Sequence, residues 1–411
     1  MQTEIEILYN LYDTYLFIIA VSFLLALLVT PLTGVLSTRL NAVDISPVNR
    51  DRSDKTRDRR IHRRDMPNLG GIGLTIGMLG GVAIAFMVGQ LTEFDQKLLH
   101  IILGIFIIVL LGFYDSVNDL PAKRQIFYQI VAALVVTTGG IKIDVIHLMG
   151  IQIDFTLINF EIPLSQMTLY ISPIADLITI IWIVGIINAI NWVSGIDGLA
   201  ASMSLFAAVT FLFIGVRTDS VIAAILSASL VGGIMGFLPY NLPSAKTFNG
   251  SAGDMLQGYL LAILAIVSGA KFSASIILLS LPVIDSLWVL VGRYLRHKQE
   301  LNGPLDIMNI SDKTHLHHRL MDLGLSVRQT LVVEISIFLV FCFTAYYVAG
   351  FSELTLAVLG TVLACFIMFT FIAIIRARST KKSAAQEAEL ENDDDSPPPV
   401  ITEAPEEKYA Y

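Results

Sequence analysis

Apolar residues in this chain come in long blocks, separated by short polar stretches. The blocks lie at 15–37, 70–90, 97–115, 124–142, 170–190, 195–216, 219–239, 252–271, 273–295, 327–349 and 353–376. At 1.5 Å of rise per residue, runs of this length match the roughly 30 Å hydrocarbon core of a bilayer. The pattern predicts an all-α polytopic membrane protein with about eleven transmembrane helices. Between the fourth and fifth blocks the period changes. Residues Ile143–Ser165 alternate apolar and polar positions, which predicts a short periplasmic β-hairpin lying on the membrane surface.

Composition sharpens this picture. The chain is 55% hydrophobic and 15% charged, against about 25% charged in a soluble domain. Lys and Arg in short loops mark the cytoplasmic side. Of the 27 such residues, all but Lys97, Lys142, Arg217 and Lys271 fall in 38–68, 116–124, 240–251, 293–328 or the tail from Arg376. This asymmetry predicts a multi-pass bacterial inner-membrane protein with a periplasmic N-terminus and a cytoplasmic C-terminus. Residues 1–376 form one membrane domain, and 377–411 form an acidic, Pro-containing cytoplasmic tail expected to be disordered. The net charge of −8 combines that tail with a basic segment from Arg50 to Arg64, so it implies no nucleic-acid partner. Cys342 and Cys365 both sit in apolar runs, which excludes a disulfide framework or a thiolate metal site.

Four polar clusters fall at block ends on the basic side, where polar residues at membrane depth tend to be functional. The first is Gly112-Phe-Tyr-Asp115-Ser116-Val-Asn118-Asp119-Leu-Pro-Ala-Lys123. Asp115 and Asp119 share one helical face, and paired carboxylates suit Mg²⁺; the alternative is a solvated helix end with an Asp–Lys pair. The second, Asn188-Ala-Ile-Asn191-Trp-Val-Ser194-Gly-Ile-Asp197, offers amides to sugar hydroxyls or phosphate oxygens, or else caps helices. The third runs from Asn241 through Lys246 to Asn249-Gly250-Ser251-Ala-Gly253-Asp254. A small-residue loop opening a helix can place N–H groups against phosphates, though ordinary interhelical turns look similar. The fourth, His315-Leu-His317-His318-Arg319, holds three of the seven histidines. It reads as a basic patch for a pyrophosphate rather than as a zinc site, or as a solvated loop.

Taken in order, these clusters resemble the polyprenyl-phosphate N-acetylhexosamine-1-phosphate transferase family over roughly residues 15–375. The His-x-His-His motif is similar to that of the bacterial branch that transfers N-acetylglucosamine-1-phosphate to undecaprenyl phosphate. Pro67-Asn-Leu-Gly70-Gly71 and Pro282-Val-Ile-Asp285 with Arg293 resemble further family motifs. The resemblance implies Mg²⁺-dependent transfer, with Mn²⁺ as a substitute, from a UDP-N-acetylhexosamine to a polyprenyl phosphate. UMP is released and cell-envelope polysaccharide synthesis begins. It further implies catalytic roles for Asp115, Asp119, Asn188, Asn191 and Asp197, and metal ligation by Asp115, Ser251 and Asp254. Substrate binding would fall to Lys123, Asn241, Lys246, His315, His317, His318 and Arg319. A homodimer is compatible with it. Three positions that are usually aspartate in the family are Ser116, Ser194 and Ser251 here. Two readings follow. Either serine hydroxyls help ligate Mg²⁺ while Asp119 and Asp254 supply charge, or the chain is a non-catalytic member that binds polyprenyl phosphate or a partner.

Overall fold

A computed structural model describes residues 2–46, 64–89, 95–148, 151–165, 167–269, 272–299, 303, 305–310 and 313–350. The expected span at 353–376 and the acidic tail lie outside the described residues, as does most of the basic loop.

Among the described residues, eight helices are long and apolar enough to cross a membrane, and a bent pair makes a ninth. They are α1 (Gln2–Arg39), α2 (Gly70–Met87), α3 (Gln96–Asn118), then α5 (Pro173–Val193), α6 (Leu199–Arg217), α7 (Val221–Asn241), α8 (Gly250–Val267) and α12 (Val327–Ala349). The bent pair is α9 (Phe272–Leu278) and α10 (Ser280–His297), which meet at 64°. The sequence pattern reads this pair as one span. Pro282 explains the break, because its missing N–H and fixed φ suit the first turn of a new helix and not the middle of a continuous one. The bend swings α10 so that Asp285 and Arg293 approach the other helices' ends.

Between α3 and α5 lies α4 (Ala122–Thr138). Its 17 residues rise about 26 Å, short of the hydrocarbon core, because Gly139 and Gly140 end it before the expected boundary at 142. The alternating segment that follows forms two hairpins instead of the one expected. Strand β3 (Val145–Leu148) pairs antiparallel with β4 (Ile151–Asp154), and β5 (Phe160–Leu164) pairs with β6 (Met167–Ile171). Strand β6 takes up residues expected to begin the fifth helix, so α5 starts at Pro173. Hydrogen bonds between Gln96, at the start of α3, and Thr168 hold the second hairpin against the bundle. A buried Lys142–Asp176 ion pair, 2.8 Å long, closes the same end.

Most of the core is one cluster, with a smaller one between α1, α2 and α7. Fully buried Ile, Leu, Met and Phe side chains from α2, α3, α5, α6, α7 and α8 form one cluster around α8, from which Tyr259, Leu260, Ile263 and Leu264 all project inward. Helix α8 is thus the central post, and its first turn is where the polar residues gather. The short helix α11 (Leu316–Asp322) and a ribbon of β1 (Val43–Asp44) and β2 (Met66–Pro67) complete that end of the molecule.

Candidate active site

The end of the bundle opposite the hairpins encloses a cavity of about 490 Å³. All four polar clusters contribute to it or to its immediate support. The third cluster forms one wall. The chain enters α8 through Phe248-Asn249-Gly250, and this segment is pinned to the start of α2. Phe248 N–H donates to Pro67 O at 2.8 Å, Gly70 N–H to Phe248 O at 3.0 Å and Gly71 N–H to Asn249 O at 2.8 Å. Gly250 has φ +69°, and a Cβ there would lie 2.0 Å from Asn68 O, so only glycine fits this turn. The result places Asn249, Ser251 and Asp254 together. Asp254 is buried, faces the cavity, and accepts a hydrogen bond from Asn249 Nδ2.

Asp115 sits one contact behind this wall. Its carboxylate accepts from Leu120 N–H at 2.8 Å, Gln125 Nε2 at 2.9 Å and the Ser251 hydroxyl. The α3 end is therefore folded back onto α8, and Asp115 is a buried anchor rather than part of a solvated helix end. The second cluster forms the floor. Asn188, Asn191, Trp192, Ser194 and Asp197 all line the cavity. Asp197 accepts from Ala245 N–H at 3.1 Å, which ties the α5–α6 turn to the α7–α8 loop. Burial raises its pKa above the usual carboxylate value, partly offset by that hydrogen bond.

The histidine loop closes the far wall. Asp285 on α10 receives His315 Nδ1 at 2.7 Å and Leu316 N–H at 2.9 Å, fixing where α11 starts. The His315 and His317 rings stack with centroids 5.5 Å apart, and His318 lies 4.4 Å from His317. His317 is 1% exposed, and neither ring nitrogen has a hydrogen-bond partner. Its Nε2 rests against Gly195, where a Cβ would come within 2.2 Å. Burial, with His318 and His315 beside it, holds its pKa well below the usual 6.5.

The profile of glycosyl transferase family 4 matches residues 98–269. A protein of Bacillus subtilis (strain 168), named probable undecaprenyl-phosphate N-acetylglucosaminyl 1-phosphate transferase, is 31% identical over 331 residues, covering 79% of this chain and 82% of that one. The chain belongs to this family. It is a phosphoglycosyl transferase of the polyprenyl-phosphate hexosamine-1-phosphate group. The decaprenyl-phosphate N-acetylglucosaminephosphotransferase of Mycobacterium leprae is 28% identical over 334 residues, or 74% of this chain and 76% of that protein. The phospho-N-acetylmuramoyl-pentapeptide-transferase of Halalkalibacterium halodurans is 25% identical over 281 residues, or 68% and 82%.

Among the residues the sequence singles out in this family member, Asn188, Asn191, Asp197, Asn241, Ser251, Asp254, His315, His317 and His318 line the cavity. Five do not. Asp115 lies behind the wall, and Asp119 is an exposed helix cap in the left-handed region. Lys123 pairs with Asp306 at 3.0 Å, Lys246 is exposed, and the Arg319 guanidinium packs over the Trp288 ring. The basic patch expected of the histidines is also different in kind, because burial keeps His317 neutral. Among the described lining residues, the one Lys or Arg is Arg293, 5% exposed and 5.9 Å from the Trp192 ring centroid. The sequence sets Arg293 beside the Pro282–Asp285 motif without assigning it a binding role; the α9–α10 bend brings it to the cavity. Asp44 and Asn68, also lining, arrive through the β1–β2 ribbon, a pairing across 22 residues that the local pattern does not reveal.

One consequence concerns pH. Below pH 6.5 the unfolded chain protonates His317 while the folded chain refuses the proton, until the depressed folded pKa is reached. Stability therefore falls as pH drops below about 6.5. Thermal unfolding between pH 7.5 and 5.5 should show a steeper loss for the parent than for His317→Met. Parallel curves for the two proteins would contradict the buried, neutral assignment.

Proposed function

We propose that this transferase moves N-acetylhexosamine-1-phosphate, N-acetylglucosamine-1-phosphate foremost, from a UDP-sugar to undecaprenyl phosphate at the cytoplasmic membrane face. The observation that carries this reading is the polarity of the cavity. Asp254 and hydroxyl and amide oxygens, with Asp115 behind them, share the lining with Arg293 and the histidine loop at one end of the bundle. A pyrophosphate bridging a nucleoside and a sugar needs a cation on one flank and donors on the other. The B. subtilis and M. leprae relatives carry names with N-acetylglucosamine phosphate transfer to a polyprenyl phosphate.

The donor set suits Mg²⁺. Carboxylates Asp254 and Asp115, the Ser251 hydroxyl and the amide oxygens are all hard ligands, and Mg²⁺ is commonly bound by one or two carboxylates plus substrate phosphates. Asp254, Ser251 and Asp115 would hold the ion, which supplies charge neutralisation to the phosphates. Arg293 binds the pyrophosphate as a fixed charge, and the buried, neutral His317 packs between His315 and His318 to hold the loop beside it. Polyprenyl phosphate is mostly dianionic at neutral pH, since its second pKa is about 6. Its oxygen can form the new bond to the β-phosphorus without a strong base. The bond between the β-phosphorus and the bridging oxygen breaks, and UMP leaves with that oxygen. Positioning and electrostatics do the catalytic work in such transfers.

The test is a doubly labelled donor, UDP-GlcNAc with tritium in the sugar and ³²P at the β-position. Both labels should enter the lipid fraction together. Sugar label arriving without ³²P would mean simple glycosyl transfer and would end this reading.

A further inference from the structure

Helix α4 contributes no charged side chain to the cavity wall, yet it carries two glutamines one turn apart, Gln125 and Gln129, on the face turned toward α3, α5 and α8. Gln125 Nε2 donates to Asp115 Oδ1 and Leu120 O, both at 2.9 Å. Gln129 reaches the other side of the site. Its side chain is 0% exposed, and its Oε1 accepts from Asn188 Nδ2 at 2.7 Å. The same Asn188 nitrogen donates to the backbone carbonyl of Val184 at 2.8 Å.

These contacts determine which way the Asn188 amide points. A backbone carbonyl can only accept, so the Asn188 atom beside Val184 O must be the nitrogen. Turning the amide over would set two oxygens against each other. With Asn188 fixed in that sense, Gln129 must present its own oxygen to the second N–H. Both Asn188 hydrogens are then engaged inside the protein. Its Oδ1 has no partner among the described residues, is not among the buried unpartnered atoms, and belongs to a cavity-lining side chain. The arrangement is poor value for stability alone. Gln129 Nε2 finds only the Met255 thioether, at 3.9 Å, and a thioether is a weak acceptor. A buried amide left nearly unsatisfied costs stability, so packing does not account for a glutamine here.

We propose that Gln129 is a positioning residue that locks Asn188 with its carbonyl oxygen toward the cavity, making this part of the floor an acceptor for an electropositive group of the ligand. That group is either a hydroxyl or N–H of the sugar nucleotide or the cation bound with it. The inference rests on the sugar-nucleotide reading above.

The experiment compares full-length parent, Gln129→Met and Gln129→Glu in detergent, by calorimetric titration with UDP-GlcNAc in Mg²⁺ and in EDTA, alongside thermal unfolding. Met fills the same space without an acceptor. It should weaken UDP-GlcNAc binding about tenfold, the size of one lost hydrogen bond to a polar ligand, while the thermal midpoint stays within about 2 °C of the parent's. Glu keeps an acceptor oxygen and should restore affinity to within about threefold. A loss seen only with Mg²⁺ assigns the Asn188 oxygen to a cation-dependent contact, and a loss seen equally in EDTA assigns it to the sugar nucleotide. A Gln129→Met protein that binds like the parent overturns the proposal. So does one whose midpoint falls by about 5 °C or more, because Gln129 is then a structural residue. Failure of the parent itself to bind UDP-GlcNAc would speak against the proposed function instead, and the thermal comparison would still decide the role of Gln129.

Discussion

Replacing Asp254 by Asn is expected to lower turnover by about 10²–10³-fold, with the fold intact. Asp254 opens the central helix α8, is 6% exposed, and shares the cavity lining with two other carboxylates, Asp44 and Asp197. Asp197 is engaged by Ala245 N–H. Asp254 is the one that lies beside Ser251 and Asp115, in the oxygen-rich corner. Asparagine preserves its shape and can still bond Asn249, but it removes the negative charge that would hold a cation against the transferring phosphates. Removing one preorganised electrostatic contact typically costs a factor of 10²–10³ in kcat. The measurement is UMP release under saturating UDP-GlcNAc, with binding followed separately. The effect should appear in kcat far more than in sugar-nucleotide affinity. Turnover within about tenfold of the parent would remove Asp254 from the reaction.

Ser251→Asp is expected to raise apparent Mg²⁺ affinity by about tenfold or more and to make stability depend on Mg²⁺. In the parent the Ser251 hydroxyl donates to the Asp115 carboxylate. An aspartate there sets two carboxylates face to face, and both ionise only with a cation between them. Without Mg²⁺ the variant should therefore unfold at a lower temperature than the parent, and Mg²⁺ should restore it by mass action. Asp254 cannot substitute for a carboxylate at 251, since the two positions are offset by about 4.5 Å along α8 and Mg²⁺ requires oxygens at about 2.0–2.1 Å. Ser116→Asp should add little. Its hydroxyl bonds back to Gly112 O at 2.9 Å, and the side chain is not part of the cavity wall. Thermal unfolding across a Mg²⁺ titration checks both variants without relying on activity. An unchanged Mg²⁺ midpoint for Ser251→Asp would place the ion elsewhere.

The bundle was largely legible because bilayer-length apolar runs have few other uses, and the charge asymmetry gathered the four clusters on one side. What escaped the pattern depends on tertiary packing. Residues 167–171 are apolar enough to start a helix, but their pairing with Phe160–Leu164 makes them a strand. The run at 273–295 contains its own breaker in Pro282, and only the 64° bend shows that Arg293 turns toward the site. Lys123, Lys246 and Arg319 lie next to cavity residues in sequence, yet an ion pair, solvent exposure and a tryptophan ring take them elsewhere. Three clustered histidines look basic on paper, and burial beneath Gly195 makes the middle one neutral. Gln129 carries no signal in a single sequence, because nothing along α4 marks it out from Gln125 or shows that Asn188, 59 residues on, packs against it.

A cavity lined by Ser194 and Ser251, with Ser116 outside its wall, still performs phosphoglycosyl transfer. The most direct measurement is UMP release by purified full-length protein supplied with UDP-GlcNAc and undecaprenyl phosphate in detergent, with Mg²⁺ or with EDTA. The account predicts UMP appearing in step with a lipid-linked sugar phosphate, and its disappearance when EDTA is added. Binding of undecaprenyl phosphate with no UMP above a protein-free control, at any Mg²⁺ or Mn²⁺ concentration, would contradict it and leave the cavity as a binding site alone.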